Sequence, residues 1–246
     1  KFISKQQHHQ KHRIQHGDSR FCSLNSMNSS VLKHTEFPTE SFVDNSGLYV
    51  GFMLSYNGWT RDDLGFERIF LHKSGGTRVW FVVESKYVEH LNRILSETVS
   101  ESSVRPSELT KHGIPVSIQT QSAASIVVIA PGSAYFYINL SYNLIEMQRF
   151  GGTAWLDYAR RRVQMDSRSL PYEAVVLRAA FLMNDEKDPE IYRIVAQHAS
   201  TILCEFMSLS KKWEENGWHC VWMPGVVAKN VLIKQVLEAQ LSLKGK

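Results

Sequence analysis

Long hydrophobic runs are missing from this sequence. No apolar stretch approaches the ~20 residues that a membrane-crossing helix needs, so no membrane partner is expected. A secretory signal is not expected either, because the first residues are basic and His-rich with no hydrophobic segment behind them. Cysteine is scarce. Cys22, Cys204 and Cys220 are odd in number, and their spacing suits neither a disulfide framework nor a zinc ribbon. A reducing compartment, cytosol or nucleus, is the simpler expectation. Net charge outside the N-terminus is close to zero: Lys1, Lys5, Lys11, Arg13 and Arg20 against Asp18 account for the whole +4. Nucleic acid is therefore a candidate partner for a basic arm and not for the body of the protein. Internal repeats are absent.

What is present has ordinary globular composition, with enough apolar residues for a sizeable core. Residues 1–30, with "KQQHHQKHRIQH" and "SLNSMNSS", read as a polar basic tail and linker. His8, His12 and His16 have a helical spacing that could gather a metal, but a solvated tail is the simpler reading. From about 48 to 150 the segments "LYVGFMLSY", "ERIFLH", "TRVWFVV", "IPVSIQTQ", "SIVVIA", "AYFYINL" and "LIEMQRF" are short and rich in β-branched and aromatic residues. Gly, Ser, Asn or Pro separate them, as expected of antiparallel strands.

Two helices interrupt the strands. One has Val88, Leu91 and Leu95 on a single face and Ser85 as its N-cap; the other has Pro106 in its first turn and Gly113 past its end. After about 152 the period becomes helical, with starts expected at Thr153, Pro171 and Pro189 and a final amphipathic segment at 226–243. "MPGVV" at 223–227 is punctuation before it. The division expected is a tail at 1–30, a β-barrel at 31–160 and a helical subdomain at 161–246.

The strand order and "LTKHGIPVSIQTQSAASIVVIAPGSAYFYINLSYNLIEMQRFG" resemble the JmjC domain. That family is a double-stranded β-helix, a cupin-like jelly roll, which in histone lysine demethylases uses Fe(II) and 2-oxoglutarate. The likeness covers roughly residues 45–160. It is carried by Gly113, Ile114, Pro115, Pro131 and the closing run Asn139, Asn143, Glu146 and Phe150.

The family's chemistry implies two His and one carboxylate on one face of the iron. The first two ligands stand as His-x-Asp/Glu on one strand, because i and i+2 point the same way. Anchored on Leu71 and His72, those positions fall on Trp59 and Arg61; the third falls on Tyr135, four residues after Pro131. Trp offers no lone pair, and Arg is a fixed cation with a pKa above about 12. Tyr coordinates only weakly as a neutral phenol. The resemblance thus implies a cavity plugged by Trp59, Arg61 and Tyr135, with neither metal nor cofactor. Arg61 would need a buried carboxylate, for which Glu146 is the candidate. The family's Asn on the next strand aligns with Ile69, and its Lys for the distal carboxylate of 2-oxoglutarate with Arg78.

"WTRD" at 59–62 resembles the inactive, Polycomb-associated branch typified by the family's founding Jumonji member. This implies a catalytically inactive nuclear pseudo-demethylase. Its role would be that of a protein-interaction scaffold in a chromatin-regulating complex that represses transcription, with Polycomb-type methyltransferase subunits or histone tails as partners. Three alternatives stand beside it. One is an active oxygenase with ligands relocated to Asp63 and His72, another a dicarboxylate sensor at Arg78. The third is an unrelated β-rich module in which Trp59 and Tyr135 are simply core and Arg61, Asp62 and Asp63 are turn residues. Arg160, Arg161 and Arg162 read as a solvated helix face, although phosphate or an acidic partner could meet them, and His198 as a packed core histidine.

Overall fold

The computed structural model describes residues 23–24, 30–34, 46–98, 104–163, 172–183 and 189–217. Most of the basic tail, His8, His12, His16, Pro171 and the segment 223–243 lie outside the described residues. The chain divides into two compact units, Lys1–Leu170 and Pro171–Lys246.

The first unit contains eight described strands: β1 Gly47–Gly51, β2 Thr60–Arg61, β3 Glu67–Gly75, β4 Arg78–Val83, β5 Ser117–Gln121, β6 Ile126–Ile129, β7 Ala134–Asn139 and β8 Asn143–Phe150. They form two four-stranded sheets of order β1-β8-β3-β6 and β2-β7-β4-β5, and every pairing is antiparallel. This is the expected jelly roll. Left-handed turns are supplied by Gly75 between β3 and β4 and by Gly132 between β6 and β7, at φ +96° and +69°. A side chain at Gly75 would strike the Tyr142 carbonyl, so the turn has no substitute there.

The pleat sorts β7 into two layers. Tyr135 and Tyr137 face inward and pack with Phe70, Trp80, Ile129 and Ile145. Ala134 and Phe136 face outward and pack with Val83, Val88, Leu91, Leu95, Leu109 and Ile114. This outer layer is closed by helices α1 (Val88–Ser96) and α2 (Pro106–Lys111). α1 buries the expected stripe of Val88, Leu91 and Leu95. Ser85 opens a 3-10 turn, Ser85–Tyr87, ahead of it and does not cap α1, whose N-cap position is Tyr87. α2 starts at Pro106 as expected, the Glu108 carboxylate accepts the Arg105 N–H at 3.0 Å, and Gly113 ends the helix at φ +75°.

α3 (Thr153–Val163) runs through the expected boundary at 160 and belongs to the first unit. Its Trp155 stacks on Phe66 with ring centroids 4.3 Å apart. Its Tyr158 ring lies where a Cβ at Gly65 or Gly132 would fall, so two glycine turns serve one aromatic contact.

In the second unit, α4 (Tyr172–Leu182) packs against α5 (Pro189–Glu215). His198 is buried as expected and shares a 2.6 Å hydrogen bond with the Tyr172 hydroxyl. No described helix is long and apolar enough to cross a membrane.

Candidate functional site

Between the two sheets lies a cavity of about 310 Å³. Every sheet position on its wall follows from the pleat. Thr60 of β2 stands directly opposite Tyr135 of β7 and joins it on the inside; Arg61 stands opposite Ala134 and goes outward. β3 contributes Arg68 and Phe70, β4 contributes Arg78, and β8 contributes Ile145 and Met147.

This register corrects two of the three expected plug residues. Trp59 packs in the outer layer, with its indole N–H bonded to the Val104 carbonyl at 3.2 Å. Arg61 is half-exposed and is not part of the cavity wall. Glu146 is not its partner. That carboxylate accepts from the Ser23 hydroxyl at 2.6 Å and the Leu24 N–H at 3.0 Å, and pairs with Lys73 at 2.8 Å. Burial pushes the Glu146 pKa up, but Lys73, Ser23 and Ser46 outweigh it and hold the group below its usual value. Tyr135 alone of the three expected residues faces the cavity, where burial pushes its phenol up to about 12.

The carboxylate next to Arg68 of the cavity wall is Asp62, a buried residue in a turn. Its Oδ1 accepts the Leu64 and Phe66 N–H groups, each at 3.0 Å. Its Oδ2 lies 2.7 Å from both Arg68 Nη2 and Arg149 Nε. Arg68 and Arg149 fall on strands β3 and β8 directly opposite one another, a pairing that no local pattern in the sequence shows. Like charges in that position repel unless a carboxylate bridges them. Asp-x-Leu-Gly is also an Asx-turn sequence, which explains why a turn residue is buried.

At another part of the wall, Arg78 is buried as a cation among neutral groups. Its Nε donates to Asn139 Oδ1 at 2.8 Å and its Nη2 to Asn143 Oδ1 at 3.4 Å. The guanidinium carbon lies 3.9 Å from the Tyr137 ring centroid. Burial lowers its pKa to about 10, which leaves it charged at neutral pH. Ile69, at the expected Asn position, turns away and packs with Leu24 and Leu71; its neighbour Phe70 takes the cavity wall.

The relocated-ligand alternative finds no geometry here. Asp63 is exposed. His72 is fully buried, and its Nε2 lies 3.1 Å from the Ser74 carbonyl, so that nitrogen carries the proton. Among the described residues, no three His, Cys, Asp or Glu side chains converge.

Residues 47–150 match the family described as JmjC domain, hydroxylase. A JmjC domain is present in this chain. The chain is also 27% identical over 131 residues to lysine-specific demethylase 5D of Homo sapiens and of Pan troglodytes. That stretch is 48% of this chain and covers 8% of each relative's length.

Iron beside the β2–β7 pair of this JmjC domain would meet Thr60, Tyr135 and the nearby Asp62. These residues do not fit it. A hydroxyl and a phenol with a pKa near 12 are poor neutral donors. Asp62 is already engaged by two backbone N–H groups and two guanidinium groups. Arg68 places a positive charge in the cavity wall, which opposes a dication in a medium that screens poorly. The polar partners of Arg78 are neutral amides, and its guanidinium lies over the Tyr137 ring.

Proposed function

We propose that this JmjC domain is a non-catalytic, nuclear protein-interaction scaffold of a chromatin-regulating complex. The observation that carries the reading is the engagement of Asp62 by Arg68 and Arg149 beside Thr60 and Tyr135. A site built this way offers iron no set of three good donors, so neither oxygen activation nor demethylation follows from it. Binding to partners then falls to the outer surfaces. Polycomb-type methyltransferase subunits and histone tails are the partners the inactive branch of the family suggests, with nucleic acid a candidate for the basic tail.

The test is direct. Purified protein is incubated anaerobically with Fe(II) and 2-oxoglutarate, then exposed to oxygen with methylated histone peptides. The expected result is no metal-to-ligand absorbance band, no succinate and no demethylated peptide. Stoichiometric iron with succinate release overturns the reading. Affinity purification of the protein from nuclei should recover histone-modifying subunits; recovery of no chromatin protein removes the scaffold role.

A second reading is supported by Arg78. A buried guanidinium held by amides and a tyrosine face, in a cavity of about 310 Å³, suits a metal-independent receptor for a small dicarboxylate.

A further inference from the structure

Arg68 and Arg149 are cross-strand neighbours whose side chains are largely shielded from water, each only 12% exposed. Two cations in that position are unfavourable unless an anion lies between them. Asp62 supplies it, with one oxygen 2.7 Å from a nitrogen of each. The carboxylate is fixed from the other side as well. Its second oxygen takes two backbone N–H groups, and the turn that presents them is closed by the Gly65 N–H on the Asp62 carbonyl at 3.0 Å. Gly65 has φ +68°, and Tyr158 occupies the space of a Cβ there.

Asp62 lies two residues after Thr60, and Thr60 is opposite Tyr135. A dication held by one carboxylate and two neutral ligands carries a net charge of +1. Here guanidinium groups, and not a dication, meet that carboxylate.

We infer that Arg68, together with Arg149, is a built-in replacement for the metal ion, and that Asp62 is a retained metal ligand masked by it. The inference rests on the reading that the domain carries no iron, and it adds that the site is latent. It lacks two donors, and two guanidiniums hold its carboxylate, of which Arg68 also stands in the cavity wall.

Three proteins are compared by calorimetric titration with Mn(II) and by the Mn(II) electron paramagnetic resonance signal. They are Thr60→His/Tyr135→His, the same pair with Arg68→Ser, and that triple variant with Asp62→Asn added. The triple variant is expected to bind one equivalent at least tenfold tighter than the pair, and Asp62→Asn is expected to abolish the gain. A folded triple variant that does not bind overturns the inference, as does a pair that binds equally well or an Asp62→Asn change without effect.

A cycle of Arg68→Met, Asp62→Asn and the double variant, read by urea unfolding, stands if the histidine variants do not fold. Coupling of more than tenfold in the folding equilibrium supports the replacement, and additivity overturns it. Failure of the variants with an inert wild type defeats only this inference. Iron loading and turnover by the wild type defeats the non-catalytic reading as well.

Discussion

The Arg78 guanidinium stacks 3.9 Å from the centre of the Tyr137 ring, and its Nε is bonded to the amide oxygen of Asn139. A cation with only neutral partners inside a cavity is poised for an anion. 2-Oxoglutarate, added without metal, is therefore expected to raise the melting temperature. Ligand at a hundred times its Kd would add about 2.7 kcal/mol of stability. Arg78→Met should remove the response, at a cost in stability from the buried Asn143 amide oxygen that loses this donor. An unchanged melt of the wild type at saturating dicarboxylate eliminates the receptor reading.

Asp62→Asn tests the cation cluster through stability. It leaves Arg68 and Arg149 facing each other across β3 and β8 without their shared carboxylate. Breaking a buried pair of this kind costs about 3 kcal/mol or more, measurable as a drop in the urea midpoint. A loss below about 1 kcal/mol, the scale of an exposed ion pair, would show that the cluster is loosely held.

Trp59 and Thr60 should separate cleanly. Trp59→Ala opens the outer layer under α1 and α2 and removes the bond to Val104, at an expected cost of about 3–5 kcal/mol. Thr60→Val changes the cavity wall and should cost under about 1 kcal/mol. Urea denaturation of both variants reads the register. A mild effect of Trp59→Ala would place that side chain elsewhere.

His72 gives a pH signature. Burial, the first cause, lowers its pKa from 6.5, so the folded protein prefers the neutral ring. The unfolded chain takes up a proton as pH falls below about 6.5 while the folded one resists. Stability attributable to His72 is thus present above that pH and is lost as pH falls toward the folded pKa. The slope is at most about 1.4 kcal/mol per pH unit. His72→Gln should flatten the stability profile between about pH 8 and pH 5.5 relative to wild type, and parallel profiles would contradict the assignment.

Much of the barrel was legible because its strands carry their own signals. "TRVWFVV" and "AYFYINL" have the β-branched and aromatic content of strands, and the stripe Val88, Leu91, Leu95 marks the buried face of α1. β2 had no such signal, being two residues long. The expected cavity positions Trp59 and Arg61 differ by one register step from Thr60, which faces Tyr135, for a related reason. Counting back from His72 crosses the Asp62–Gly65 turn, where alternation does not hold, and β3 itself has an irregular register between His72 and Ser74. Which of Trp59, Thr60 and Arg61 faces inward is decided by pairing with β7. That is a long-range fact which no local pattern carries.

The ring system around Trp80 carries a practical consequence. Its indole N–H is bonded to Gln121 at 2.9 Å, its ring meets Phe70, Tyr135 and Tyr137, and no part of it reaches water. Those three neighbours line the cavity. Anything entering that space must therefore alter the surroundings of this fluorophore, and the domain would report its own occupancy by a change in emission without any attached label.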